Sequence, residues 1–146
     1  MPTSPASLPS VPPRPVLGVS VSVWRGDQVL LVRRGKAPSE GLWAPVGGRV
    51  EWGETLEAAA LREVREETGV TCEIVGFTQL REMISVDGDV PYHVVLAVFA
   101  ARWISGAAVA GDDAEAVAWV DFHTLSDDGL VEGVIPYIAA TRDLIV

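Results

Sequence analysis

From Leu17 the chain alternates strictly. Leu17, Val19, Val21 and Val23 fall on one side, and Gly18, Ser20 and Ser22 on the other. A period of two marks a half-buried strand. Arg25-Gly26-Asp27 then reads as a tight turn. The apolar run Val29–Val32 returns beside the first strand, so the chain opens on a β-hairpin. This opening rules out a doubly wound nucleotide-binding sheet, which needs a crossover helix and a glycine-rich loop after its first strand.

Arg33, Arg34 and Lys36 close the hairpin, and a loop with Pro38 and Gly41 follows. Trp43-Ala44-Pro45-Val46-Gly47-Gly48 leads into a brief extended piece around Arg49–Glu51. Thr55 opens a helix rich in Leu, Ala, Glu and Arg that runs to about Thr68, where Gly69 supplies a C-terminal stop. Thr71–Gly76 and Thr78–Ser85 read as strands, Asp87-Gly88 as a turn, and Tyr92–Trp103 as a long apolar strand. Ala116–Val120 is a short strand and Val134–Ile145 a terminal helix. Strands with one central and one terminal helix predict an α/β or α+β sandwich.

At 146 residues, 49% of them apolar, the chain suits one domain with a sizeable core. No apolar run is long enough to span a bilayer, and the N-terminus does not read as a signal peptide. Cys72 is the one cysteine. It reads as a small buried apolar residue, and its solitude points to a reducing, cytoplasmic setting. Residues Met1–Pro15 hold six of the ten prolines and one charge, Arg14, so they read as an extended leader before a domain over 16–146. Deleting Met1–Pro13 is expected to leave the thermal midpoint within a few degrees, as a calorimetric scan would show. Pro9-Ser10-Val11-Pro12 fits a PxxP ligand only as chance allows in a proline-rich tail.

A formal charge of −9 argues against nucleic-acid and anionic-membrane partners. It also means that a polyanionic substrate needs a countercharge, which a divalent cation would supply. The stretch Gly48–Val70 bears on this directly. Gly48 is followed after five residues by Glu54, and after seven more by Arg62-Glu63-Val64-Arg65-Glu66-Glu67-Thr68-Gly69-Val70. At about 100° per residue, Glu63, Glu66 and Glu67 share an arc of roughly 100° near the helix C-terminus. Like charges at this spacing cost about 0.2–0.5 kcal/mol per pair, and anions sit poorly at the negative end of the helix dipole. Leu56, Ala60 and Val64 border the arc, so the carboxylates lie beside the buried face and need a countercharge. Hard oxygen donors of this kind suit Mg²⁺ or Mn²⁺. An ordinary solvated acidic face, paired to arginines, would explain the glutamates alone. It does not explain the full spacing, which arises by chance less than about once in a million.

These residues match the Nudix box at every specified position: Gly, five residues, Glu, seven residues, Arg-Glu, an aliphatic, any residue, Glu-Glu, any residue, Gly, aliphatic. The chain thus resembles the Nudix hydrolase family from about Val16 to its C-terminus. The resemblance implies an α/β/α sandwich with a mixed β-sheet. It implies metal ligation by Glu63, Glu66, Glu67 and the Gly47 carbonyl. Glu63 is also the implied base toward water, Arg62 orients the glutamates, and Glu54 is supportive. Arg34 is implied at the substrate rather than its neighbour Arg33. One of Asp112, Asp113 and Glu115 is implied as a further acidic group, with the choice open. Many family members have proline directly before the two glycines; here that position is Val46, with Pro45 one place earlier, so a different path is expected there.

The implied activity is Mg²⁺- or Mn²⁺-dependent attack of water on a diphosphate linkage in a small nucleotide-like substrate. Nucleoside triphosphates, nucleotide sugars and ADP-ribose-like molecules all stay open. Val86 and Asp87 stand where some branches carry a proline for ADP-ribose or a tyrosine for dinucleoside polyphosphates. The alternatives are a non-catalytic nucleotide-sensing Nudix domain, in which box glutamates are usually lost, and an isomerase of the same fold. His93 reads as structural and His123 has no assigned role. The tryptophans read mostly as core, with Trp52 placed either there or at the edge of the cleft. Neither Ser nor Cys pairs with His at a spacing suited to a covalent nucleophile. Monomer and homodimer are both open.

Overall fold

A computed structural model describes residues 13–111 and 113–146. The expected leader, up to residue 12, and Asp112 lie outside the described residues. Strands β1 (Val16–Arg25) and β2 (Gln28–Arg34) form the opening hairpin, closed through Trp24↔Val29 and Arg25↔Gln28. Gly26 makes the turn with φ of 61°, a backbone region that favours glycine. Strand β3 is Trp43–Arg49, α1 Leu56–Thr68, β4 Thr71–Ser85, β5 Tyr92–Ser105, β6 Ala114–Asp121 and α2 Ile135–Ile145. The sheet has six strands in the order β4-β5-β1-β3-β2-β6. It is mixed, because β1 runs parallel to β5 while the other pairs are antiparallel.

Two of these elements differ from the sequence reading. The sequence suggests an extended piece only around Arg49–Glu51, yet β3 spans Trp43–Arg49 and lies between β1 and β2. Trp43–Pro45 runs antiparallel to β2, and Val46–Arg49 runs antiparallel to β1. Since β1 and β2 are themselves antiparallel, β3 must reverse at Pro45–Val46. It is a V-shaped wedge driven between splayed strands, with the proline at its apex, where its missing N–H does least harm to either ladder. Similarly, the two strands expected over Thr71–Gly76 and Thr78–Ser85 are one strand, interrupted by register shifts at Ile74/Gly76 and Phe77/Gln79. Bulges bend a strand without ending its pairing.

Side-chain alternation sorts the core into two layers. Val19, Val21, Val23, Leu30, Val32 and Val46 face α1, where they meet Ala59, Ala60 and Val64. Trp24, Val29 and Leu31 face α2 and meet Ile138 and Val134. On that side the Trp24 indole donates to Thr141 Oγ1 at 3.0 Å, satisfying its one polar atom in the core. Trp52 departs from the expectation for the tryptophans and is fully exposed on the loop before α1. Cys72 is buried, as its chemistry suggests. No helix among the described residues is long and apolar enough to cross a membrane.

Candidate active site

Helix α1 begins at Thr55, whose side chain accepts from the Ala58 N–H, and ends at Gly69 with φ of 73° and its N–H on the Arg65 carbonyl. The buried face is Ala59, Ala60, Val64 and Thr68. The orphan carbonyls of the last turn receive the loop after β5: Val109 N–H donates to Thr68 O at 2.9 Å and Gly111 N–H to Glu67 O at 2.8 Å. That loop leads into β6 and carries Asp113 toward the acidic end of α1.

Arg62 is the hub of the charged cluster. Its Nε and Nη2 grip both oxygens of Glu54 at 2.7 and 2.9 Å, and Nη2 also donates to the Arg49 carbonyl at 2.9 Å. Nη1 binds Glu63 and reaches Glu66 at 3.1 Å. A forked, planar donor is what such a multi-carboxylate arrangement requires. Glu54 also accepts the Glu51 N–H at 3.0 Å. Held first by the Arg62 side chain and then by that N–H, its carboxyl is pulled down to a pKa of about 2. Folding therefore gains from ionised Glu54 above its unfolded value near 4.5, and the gain fades as pH falls through about 2. The expected Glu54→Gln defect in thermal stability is accordingly full at pH 6 and gone near pH 2, as melting curves across that range would show.

Glu63 lies against Gly48. A Cβ added at residue 48 would fall inside the Glu63 carboxyl group, so glycine is needed there for space. Burial raises the Glu63 pKa, opposed by its bond to Arg62. Glu67 is raised further, to about 8, first by burial and then by the neighbouring Glu63, while the Gly47 N–H bonded to its carboxyl works the other way. Without a cation, burial and the neighbouring Glu63 thus favour the protonated form of Glu67, and the two carboxyls titrate as a coupled pair. Asp113 adds to the negative field on Glu67, and Arg34 relieves it.

Of the other sequence candidates, Arg34 donates its Nε to Pro38 O at 2.7 Å, and Arg33 turns away to pair with Glu115 at 3.0 Å. Asp113 pairs with Lys36 at 2.9 Å, and of the two described acids of that loop it is the one whose charge reaches Glu67. His93 lies half-buried on β5, and His123 is exposed, 3.9 Å from Asp27. The contribution of Gly48 is visible only in three dimensions, because the helix and the strand that meet there are joined by a loop whose path the sequence leaves open.

The donor set suits a hard divalent cation. It is all oxygen, and Glu67 is the carboxyl most short of positive charge. Among the described residues no three acidic, His or Cys side chains stand close enough together, as placed, to ligate one ion. Arg62 holds Glu63 and Glu66, and Glu66, with 46% of its side chain exposed, has room to swing.

A family model described as NUDIX domain matches residues 14–140. The chain belongs to the Nudix hydrolase family. Among curated relatives it is 36% identical over 111 residues to an ADP-ribose pyrophosphatase of Methanocaldococcus jannaschii, covering 76% of this chain and 64% of that protein. It is 35% identical over 114 residues to an isopentenyl-diphosphate Delta-isomerase of Cereibacter sphaeroides, covering 74% of this chain and 64% of that one. The match thus spans just under two thirds of each of these two relatives. The fold is that of a MutT NUDIX hydrolase from Burkholderia pseudomallei, with TM-score 0.78, 27% identity, and coverage of 88% of this chain and 98% of the other. The NUDIX domain of Shewanella oneidensis NrtR, solved with ADP ribose, superposes with TM-score 0.73 at 21% identity, covering 99% and 94% of the two chains.

Proposed function

We propose that this Nudix chain is a Mg²⁺- or Mn²⁺-dependent hydrolase that cleaves the diphosphate linkage of a nucleoside diphosphate joined to another moiety, with ADP-ribose the first substrate to try. The observation that carries the reading is the Glu63–Glu67 carboxyl pair, seated on the glycine backbone of β3, in which Glu67 is short of positive charge. A cation bound there supplies countercharge to the diphosphate and lowers the pKa of water. Glu63, Glu66, Glu67 and the Gly47 carbonyl would hold it. Arg62 fixes the Glu63 carboxylate through Oε1, which leaves Oε2 to accept a proton from the attacking water. Arg34, whose charge is felt at Glu67, would meet a phosphate oxygen.

The relative named an ADP-ribose pyrophosphatase supports the substrate choice, and the isomerase relative argues for testing widely. A panel of ADP-ribose, nucleotide sugars, nucleoside triphosphates and isopentenyl diphosphate, each with Mg²⁺, decides the matter. Phosphate-ester products from one or more nucleotides support hydrolysis. Isomerised isopentenyl diphosphate, or tight nucleotide binding with no product, would replace it with an isomerase or a sensing domain.

A further inference from the structure

The segment that joins β5 to β6 passes over the last turn of α1 as a strap. Its side chains do little to hold it: Gly106, Ala107, Val109 and Ala110 are exposed, and Ala108 packs only partly against the core. Backbone contacts hold it instead. Besides the Val109 and Gly111 N–H groups on the Thr68 and Glu67 carbonyls, the Trp103 indole donates to the Gly106 carbonyl at 3.0 Å. Gly111 lies closest to the helix. A Cβ there would stand 2.3 Å from the Glu66 carbonyl oxygen, an atom of the helix backbone that cannot turn aside as a side chain could.

From Gly111 the constraint passes to Asp113. The Ala114 N–H donates to the Gly111 carbonyl at 2.9 Å, closing a turn that contains Asp113. On its other side the Asp113 carbonyl accepts the Gly35 N–H at 3.2 Å, and a Cβ at Gly35 would stand 2.9 Å from that oxygen. One run of backbone contacts thus joins the turn that carries Glu66 and Glu67 to Asp113, and Asp113 to the end of β2 beside Arg34. A methyl group at residue 111 would drive the strap off α1 by roughly 0.7 Å or more, the distance short of the 3.0 Å that real Cβ contacts respect. Functional constellations work when their groups are held within about 0.5 Å of the productive geometry. Because Gly35 keeps hold of Asp113, the displacement falls on the distance between Asp113 and the Glu66–Glu67 turn.

We infer that Gly111 is a positioning residue: by letting the strap lie on the Glu66 carbonyl, it fixes Asp113 against Glu66 and Glu67 so that these carboxylates act together on a divalent cation. The inference deepens the cation reading of the site and rests on it. Its test needs no turnover. Mn²⁺ binding is read from the loss of the free-ion electron paramagnetic resonance signal, well below the thermal midpoint of each variant. Gly111→Ala should bind Mn²⁺ about tenfold or more weaker than the wild-type chain. Val109→Ala trims an exposed side chain and keeps the N–H on Thr68, so it should bind as the wild type does. A glycine needed only for the fold would lower the thermal midpoint of Gly111→Ala and leave its Mn²⁺ affinity within about twofold. That result, with a wild-type chain that binds Mn²⁺, would overturn the inference alone. If Gly111→Ala does not fold, one glycine inserted between Gly111 and Asp112 decides the question. It keeps the contact with α1 and slackens the reach to Asp113, so it should also weaken Mn²⁺ about tenfold, and unchanged affinity would overturn the inference. A wild-type chain that takes up no Mn²⁺ would sink the cation reading and the inference with it.

Discussion

Glu67→Gln is expected to lower kcat roughly a hundredfold to a thousandfold while making the metal-free protein more stable. The two halves share one cause. Burial and the adjacent Glu63 leave the Glu67 carboxyl with a pKa of about 8. In the unfolded chain it titrates near 4.5. A carboxyl whose pKa is raised by folding contributes most to stability when protonated. Metal-free stability therefore falls as pH rises from about 4.5 to about 8 and is level outside that window. Glutamine keeps the shape and the acceptor for the Gly47 N–H but carries no charge. Melting curves in EDTA should show the variant higher by roughly 5–10 °C at pH 8, with the difference closing toward pH 4.5. The same loss of charge removes a cation ligand, and defects of this kind cost a few kcal/mol in the transition state. A variant that is both inactive and destabilised at pH 8 would show that Glu67 serves the fold instead.

Gly48→Ala should be nearly as damaging to turnover, for a steric reason. The methyl group would occupy the space of the Glu63 carboxyl, so Glu63 must leave the β3 backbone and loosen from Arg62. The expected loss in kcat is about a hundredfold or more, the scale of removing one preorganised charged group. A double-mutant cycle separates this from general damage. If Gly48→Ala acts through Glu63, it should cost little more in a Glu63→Gln background, because the group it displaces has already lost its function. Full additivity of the two defects would mean that the methyl group acts elsewhere.

What the sequence disclosed and what it withheld follow the range of the interactions. The arc of Glu63, Glu66 and Glu67 and the caps at Thr55 and Gly69 are matters of helix geometry within a few residues, and they were readable. The reversal of β3 at Pro45–Val46 was not, because it depends on two partner strands splaying apart, and no local pattern encodes that. The continuity of β4 was hidden for a related reason: its bulges break the period of two without breaking the ladder. The sequence does not set Arg81 apart from the other charges of β4. Its burial comes from Glu132 and Tyr137, which are distant in sequence. The departure at Val46 was legible as a departure, but its meaning, a proline at the apex of a wedge, needed the pairing.

The central claim is that the α1 carboxylates act by holding a divalent cation against a diphosphate. ADP-ribose, or whichever nucleotide the panel selects, should be assayed by following product formation in excess EDTA, and again after Mg²⁺ or Mn²⁺ is returned. The account predicts no product above background in chelator and recovery of full turnover when the cation is restored, with Glu67→Gln failing to recover. Undiminished turnover in EDTA, or full recovery by Glu67→Gln, would contradict it.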